Sequence, residues 1–239
     1  MSSPIKLRGE LCVEAGLAAD RSGFDHPIFS ESIRLIRAAL ADPQASHSFA
    51  LQSLQPLELE VVLRLVHSSG DLTLAADVRF SEDSCEAGLR ALAAGATILT
   101  DTAMAAAAVT PMARRTFQNA VHSVLDWAPV KAPPGSTRAA AGMERALQEH
   151  PGAVVLVGSA PTALELLLDQ VAAGLTPTPA LVIGMPVGFV GVAESKRHLA
   201  ESGLPQIRLE GSRGGAGLVG AAANALLRRA WLDQVTLEP

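Results

Sequence analysis

Residues 181–196 have the sequence LVIGMPVGFVGVAESK. Its first three residues form a short apolar run typical of a buried strand, and a helical pattern follows over residues 193–202. Three glycines and a proline lie within eight residues between them. Because glycine loses the most backbone freedom on folding, such a loop indicates that the backbone must approach another group closely. We therefore predict a strand–loop–helix unit, the usual place for a ligand in an open α/β sheet.

Strands and helices are predicted to alternate along most of the chain. Strands are expected at residues 96–99, 120–125, 153–157, 180–183 and 206–209. Helices are expected at residues 30–40, 57–66, 81–93 with Ser81 as the N-cap, 102–108, 136–149, 162–173, 193–202 and 216–231. This alternation implies right-handed crossovers and a mostly parallel sheet with helices on both faces. We predict a single α/β domain, Rossmann-like and three-layered, over residues 26–239, after an irregular lead-in over residues 1–25.

The composition excludes several classes of protein. Of the 239 residues, 49% are hydrophobic but only 3% are aromatic, so alanine, leucine and valine must fill the core. No apolar run approaches the 18 residues of a membrane span, and no signal peptide is recognisable, which predicts a cytoplasmic protein without a membrane partner. A net charge of −5, without basic blocks among aromatics, gives no reason to expect nucleic acid.

Neither the cysteines nor most histidines suggest a metal site. Cys12 and Cys85 lack the spacing of a metal or redox motif, and we interpret them as buried or incidental thiols in a reducing compartment. Five histidines are scattered without ligand spacing: His26, His47, His122, His150 and His198. We therefore predict no metal and no cofactor.

Three glycine-bearing turns follow three successive predicted strands, at residues 158–162, 184–191 and 211–217. In a parallel sheet these turns lie at one edge, where their amides and the following helix N-termini suit a phosphate or carboxylate. One such loop is explained by a tight turn alone, whereas three at one edge favour a ligand. No GxxxxGK[ST] occurs, and the glycines after residue 211 lie too late in the chain to be followed by the second strand of a dinucleotide-binding βαβ unit. Both observations disfavour the alternative of a nucleotide-dependent α/β enzyme.

His67 is predicted to lie where a helix ends, before Ser68-Ser69-Gly70-Asp71. The helix dipole favours a protonated imidazole at that end, which suits a proton donor near neutral pH. A histidine that only caps the helix is the alternative.

Four other polar residues are candidates from their positions. Asp101 follows a strand and either binds a ligand or, more commonly, caps the next helix. Arg138, beside Thr137 at a helix start, and Lys196 either clamp a carboxylate or face solvent. Arg213 lies in a glycine-rich turn, so its guanidinium is expected to be free for bidentate carboxylate recognition.

These motifs resemble one family, the precorrin-8X methylmutases, including the cobalt-precorrin-8 enzymes. The resemblance rests on VGSAPTAL at 157–164, IGMPVGFVGVAESK at 183–196 and GSRGG at 211–215. It extends through residues 28–37, 64–67, 98–104 and 136–138, and so covers about residues 25 to 230. The PVGFVGxxESK string is highly specific to this family.

The resemblance implies an isomerase of cobalamin biosynthesis that moves a methyl group from C-11 to C-12 of a tetrapyrrole. The product would be hydrogenobyrinate or cobyrinate. It implies no organic cofactor and a homodimer with its site near the subunit interface. His67, in the context Arg64-x-x-His67-x-x-Gly70, corresponds to the general acid that protonates the macrocycle. The alternative is a divergent relative that binds or carries a corrinoid without turnover.

Family pattern and position together predict a substrate-binding set. It comprises Ser32, Arg64, Asp101, Thr137, Arg138, Ser159, Ala160, Thr162, Gly188, Phe189, Val190, Glu194, Ser195, Lys196, Arg213, Gly214 and Gly215. At five positions the chain departs from the family's usual residue. Ser159 replaces asparagine, Phe29 replaces tyrosine, Ala139 and Ala216 replace serines, and Ala108 replaces glycine.

Overall fold

The computed structural model describes residues 23–45 and 48–237. Most of the predicted lead-in, together with Cys12 and His47, lies outside these residues. The helices are α1 (Pro27–Ala41), α2 (Pro56–Ser69), α3 (Ser84–Ala93), α4 (Ala103–Arg115), α5 (Arg138–Glu149), α6 (Pro161–Ala172), α7 (Val192–Glu201) and α8 (Ala216–Leu237). The strands are β1 (Val78–Phe80), β2 (Ile98–Thr100), β3 (Val121–Ser123), β4 (Val154–Val157), β5 (Leu181–Gly184) and β6 (Gln206–Leu209). Short 3-10 turns occupy Leu51–Ser53, Leu72–Asp77 and Val124–Asp126.

The six strands form one sheet in the order β1-β6-β5-β4-β2-β3. Neighbours pair in parallel except β1, which runs antiparallel to β6 and places Val78 opposite Leu209. The carboxyl ends of β2, β4, β5 and β6 therefore meet at one edge. The prediction of a mostly parallel sheet is confirmed.

Helices cover both faces of this sheet, as predicted. Successive residues of β4 point to opposite sides, so Val154 and Leu156 join one core while Val155 and Val157 join another. The first core contains buried residues of α2, α3, α4 and α8, and the second contains those of α5, α6 and α7. The result is a three-layer α/β fold. Among the helices of the described residues, none is long and apolar enough to cross a membrane.

The prediction of Ser81 as a helix N-cap is wrong. Helix α3 begins at Ser84 after Asp83, and Ser81 instead bonds to the sheet. Its hydroxyl accepts from the amide of Gln206 at 2.9 Å, and its amide donates to the carbonyl of Gln206 at 3.0 Å. These bonds continue the pairing of β1 with β6. The sequence pattern did not indicate strand β1.

Helix α4 is longer than predicted, because it continues through Pro111 to Arg115 rather than ending at residue 108. Proline removes one backbone hydrogen bond from a helix interior. Beyond residue 108, Val109 and Ala113 are fully buried in the core shared with α8. We attribute the continuation of the helix to this packing.

Candidate functional site

The three glycine loops at the carboxyl edge are hydrogen-bonded to one another. The amide of Val187 donates to the carbonyl of Gly158 at 3.1 Å, and the amide of Gly188 donates to Ser212 at 3.0 Å. The amide of Gly215 donates to Met185 at 2.9 Å. The loops after β4, β5 and β6 thus form one rigid border.

Two of these glycines are required by close packing between the loops. A Cβ at Gly214 would lie 1.9 Å from the carbonyl oxygen of Met185, and one at Gly158 would lie 2.7 Å from the carbonyl carbon of Gly215. Gly215 itself has φ +123°, which L side chains rarely adopt. By contrast, Phe189 and Val190 at the tip of the middle loop are 92% and 89% exposed.

Asp101 is buried beneath this border and does not cap the helix that follows it. Thr102 caps α4, by accepting from the amide of Ala105 at 3.2 Å. Oδ2 of Asp101 accepts from the amides of Ser159 and Ala160 at 2.6 and 2.8 Å, at the start of α6. Burial raises the pKa of Asp101, and those amide hydrogen bonds oppose the rise. Its carboxylate thus holds the loop instead of facing a ligand.

Lys196 is also buried, with a side chain that is 1% exposed. Its ammonium donates to the carbonyls of Gly211 and Arg213, both at 2.7 Å. Desolvation lowers its pKa to about 8, against an opposing effect of Glu210. Neither solvent nor an exposed carboxylate meets this ammonium, contrary to both interpretations of Lys196 from the sequence.

Arg213 is engaged within the protein, contrary to the prediction of a free guanidinium. Nη1 contacts Asp71 at 2.5 Å and Thr73 at 2.9 Å, and Nη2 contacts Asp77. All three partners lie in the segment that follows α2. Because glycines flank Arg213, its backbone can turn the side chain toward this segment, which the sequence pattern could not reveal.

Thr137 and Thr162 lie together at the N-termini of α5 and α6. Their hydroxyls are 2.8 Å apart, and Thr137 caps α5 by accepting from the amide of Ala140. Arg138 is anchored to the carbonyl of Pro129 at 2.9 Å. A groove of about 400 Å³ opens beside them. Its walls include Ser136, Thr162, Val190, Glu165, Asp169 and Glu194.

Glu194, which was predicted to bind the substrate, shares this groove with two other carboxylates. Glu194, Glu165 and Asp169 all line it, so the groove repels a polyanion. Ser195 is buried, and its hydroxyl donates to the carbonyl of Val192 at 3.0 Å.

His67 lies in the last turn of α2, as predicted, and contacts α1. Oγ of Ser32 is 2.8 Å from its Nδ1. The ring of Phe29 packs edge-to-face against the imidazole, with centroids 5.1 Å apart at an angle of 87°. These two contacts hold the ring in one orientation and leave Nε2 for another partner.

Arg64 lies one turn before His67, and its guanidinium packs on the same Phe29 ring. Its Cζ is 4.6 Å from the centroid of the Phe29 ring, and Arg228 from α8 is 5.6 Å from the same centroid. Arg228 is paired with Asp25 and Glu60. Burial and then the charge of Arg64 lower the pKa of His67. The helix-end argument predicted a readily protonated imidazole, whereas burial and Arg64 act in the opposite direction.

The histidine and the glycine border lie at the same edge. Asp71, four residues beyond His67, binds Arg213 of the last glycine loop. Gly70, in the left-handed conformation, ends α2 between them. The end of α2, where His67 lies, is therefore connected to the last glycine loop through Asp71.

The family model described as precorrin-8X methylmutase matches residues 27–229. These residues make up most of the chain. The chain belongs to the precorrin-8X methylmutase family.

Similarity to individual methylmutases supports this assignment. The chain is 36% identical to cobalt-precorrin-8 methylmutase of Synechocystis over 87% of its own length and 98% of the relative's. It is 44% identical to precorrin-8X methylmutase of Pseudomonas aeruginosa, over 72% and 84%. The crystal structure of the Thermus thermophilus precorrin-8X methylmutase superposes with a TM-score of 0.72 at 40% identity, over 86% and 98% of the two chains. The chain is thus an enzyme of the methylmutase class.

Three of the departures from the methylmutase pattern have visible surroundings. Phe29 fills the space between Arg64 and His67. The methyl group of Ala108 faces Gly220 of α8, where a Cβ would lie 2.7 Å from it. Ala216 is buried beside Gly158. Nothing in the structure explains the choice of serine at position 159 or alanine at 139.

Three contacts were not recognised in the sequence, those of Asp71 and Asp77 with Arg213 and that of Phe29 with His67. Asp71 and Asp77 bind Arg213, but only their acidic character was visible, and nothing marked Arg213 as their partner. Phe29 was noted as a departure, not as a contact of His67. Among residues 23–45 and 48–237, no group of three or more metal-ligating side chains occurs.

Proposed function

We propose that this protein isomerises precorrin-8X, or cobalt-precorrin-8, by moving a methyl group from C-11 to C-12 of the ring. The observation that carries the proposal is the arrangement of His67, fixed by Ser32 and Phe29 beside Arg64. Membership of the methylmutase family supports the substrate class. The relatives include both metal-free and cobalt-precorrin enzymes, so either substrate is compatible.

The reaction is an isomerisation, so no atom or electron enters or leaves. The bond between C-11 and the methyl carbon breaks while the bond to C-12 forms. His67 lends a proton to the macrocycle, which draws electron density from the migrating centre, and recovers the proton afterwards. In this scheme Nδ1–H donates to Oγ of Ser32 and Nε2–H faces the substrate.

The substrate carries many carboxylates, so its site needs cations or amides. Arg64 has no ion pair or hydrogen bond to any residue within 23–45 and 48–237, which makes it the leading anchor. Lys196, Arg213 and Asp101 act indirectly in this proposal, because their charged groups hold loops. The exposed Phe189 and Val190 offer an apolar surface to the ring.

The assembly is proposed on the family pattern. We infer a cytoplasmic homodimer whose site lies near the subunit contact. The exposed apolar residues Ile28, Leu35 and Met104 are consistent with a surface that a second copy covers.

The test is to mix the purified protein with precorrin-8X and follow the visible spectrum, since isomerisation changes ring conjugation. His67→Ala should abolish turnover but retain binding of hydrogenobyrinate, because the imidazole acts in the transition state. His150→Ala, which alters a histidine at the end of α5, is the control and should remain active. If the wild type binds the tetrapyrrole without changing its spectrum, the protein is a carrier and the proposal is wrong.

A further inference from the structure

Charged and polar groups lie on the elements that contact or adjoin His67. They come from α1, α2, α8 and the segments that flank the first two helices. They are Ser32, Glu60, Arg64, Asp71, Asp25, Arg213 and Arg228. Their pairings determine which charge the imidazole experiences.

Most of these charges are compensated within the protein. Arg228 is paired with Asp25 and Glu60, and its guanidinium is largely buried. Arg213 is paired with Asp71 and Asp77. Opposite charges at such short distances largely cancel at the position of His67.

Arg64 differs, because among the described residues its guanidinium packs on the face of the Phe29 ring and forms no ion pair. The guanidinium carbon is 4.6 Å from the ring centroid, and within the described part of the chain no carboxylate pairs with it. Phe29 also contacts the imidazole of His67. One aromatic ring thus contacts both the proton donor and a guanidinium that forms no ion pair with a described residue, although the charges of Asp25 and Glu60 act on it.

We infer that Arg64 couples substrate binding to proton donation: a substrate carboxylate that pairs with Arg64 cancels its charge and allows His67 to take up the proton that it then donates. This inference rests on the proposed function and deepens it. It assigns Arg64 two tasks, anchoring and electrostatic control of the neighbouring imidazole.

The physical basis is the repulsion between two cations that contact one ring. In the empty protein, burial and the charge of Arg64 lower the pKa of His67, so the imidazole is mostly neutral at pH 7. A carboxylate bound to Arg64 removes the repulsion and adds an attraction, and both raise the pKa of His67. In this proposal protonation of His67 therefore follows binding of the substrate.

The test is to titrate the His67 imidazole by NMR, with and without saturating hydrogenobyrinate, assigning its signal with His67→Gln. In the wild type, hydrogenobyrinate should move the titration midpoint to higher pH. In Arg64→Met the free protein should already titrate at higher pH than the wild type, and hydrogenobyrinate should move it much less. Arg64→Lys keeps the charge and should retain the low midpoint of the free protein.

Kinetics supply a second readout. The pH profile of kcat/KM reports ionisations in the free enzyme, and that of kcat reports those in the complex. In the wild type the two His67 midpoints should differ, and in Arg64→Met they should converge. Loss of one charge-assisted anchor should also lower kcat/KM of Arg64→Met by at least about tenfold.

Each outcome decides one of the two proposals. If precorrin-8X is isomerised but hydrogenobyrinate leaves the His67 midpoint of the wild type unchanged, the coupling is wrong and the proposed function stands. A free Arg64→Met protein that titrates like the wild type also overturns the coupling. If the wild type neither isomerises precorrin-8X nor binds hydrogenobyrinate, both proposals are overturned.

Discussion

The hydroxyl of Ser32 lies 2.8 Å from Nδ1 of His67, across the contact between α1 and α2. Ser32 can accept from Nδ1–H and thereby direct Nε2 outward. Ser32→Ala should therefore reduce kcat by about tenfold, the effect of losing one hydrogen bond, while KM changes little. Steady-state kinetics at one pH measure both. Ser32→Thr keeps the hydroxyl and should retain most activity; an alanine variant with full kcat would contradict the role.

The ring of Phe29 contacts both His67 and Arg64. Phe29→Leu keeps an apolar side chain but loses both aromatic contacts, each worth about 1 kcal/mol. We expect kcat/KM to fall by about tenfold or more. Phe29→Tyr, which keeps the ring and restores the usual residue of the family, should stay active. Equal activity of the leucine and tyrosine variants would show that the ring has no positioning role.

Gly214 and Gly217 form a matched pair, three residues apart. A methyl group at Gly214 would collide with the carbonyl of Met185, whereas nothing lies within 4 Å of one at Gly217. Gly214→Ala should lower the free energy of unfolding by about 3 kcal/mol. Gly217→Ala, in the first turn of α8, should leave it unchanged or raise it by up to about 1 kcal/mol. Urea denaturation compares them, and similar values for both would contradict the packing described here.

Asp101 satisfies the amides of Ser159 and Ala160 in a buried place. Asp101→Ala leaves both donors unpaired and should reduce the free energy of unfolding by about 3 kcal/mol. Asp101→Asn retains an acceptor of the same shape and should be clearly more stable than the alanine variant. Chemical denaturation of the two variants measures this difference. A stable alanine variant would mean that water replaces the carboxylate.

The buried ammonium of Lys196 predicts a pH dependence of stability. Its pKa is lowered to about 8 by desolvation. Above pH 8 the unfolded chain therefore binds more protons at this position than the folded protein. The free energy of unfolding consequently increases as the pH rises. Compared with Lys196→Met, the wild type should gain about 3 kcal/mol between pH 8 and pH 10.5. Urea denaturation at several pH values measures the difference, and a constant difference would refute the prediction.

The parallel core of the fold could be predicted because its signals are local. Apolar runs such as residues 154–157 and 181–183, each followed by a glycine turn, mark buried strands without knowledge of their neighbours. Strand β1 has only three residues and owes its existence to pairing with β6, more than 120 residues later. Helix α4 likewise persists past Pro111 through contacts with α8 that no local pattern contains.

The candidate site shows the same difference between local signals, which the sequence contains, and contacts between distant residues, which it does not reveal. The helix-end position of His67 was visible in the sequence and is confirmed. The partners of Lys196 and Arg213 were not visible, because a residue type specifies a charge but not the group that it meets. The lowering of the pKa of His67 was missed for the same reason, since burial and the nearness of Arg64 depend on α1 and Phe29.

The antiparallel pairing of β1 with β6 also affects how the protein can lose activity. The chain passes from His67 through Asp71 and Asp77 directly into β1, and Arg213 joins both carboxylates to the loop after β6. Local melting around the histidine must therefore detach the margin of the sheet, and these segments should exchange their amide hydrogens as one cooperative unit. Heat or denaturant should inactivate this protein in the same transition that unfolds it.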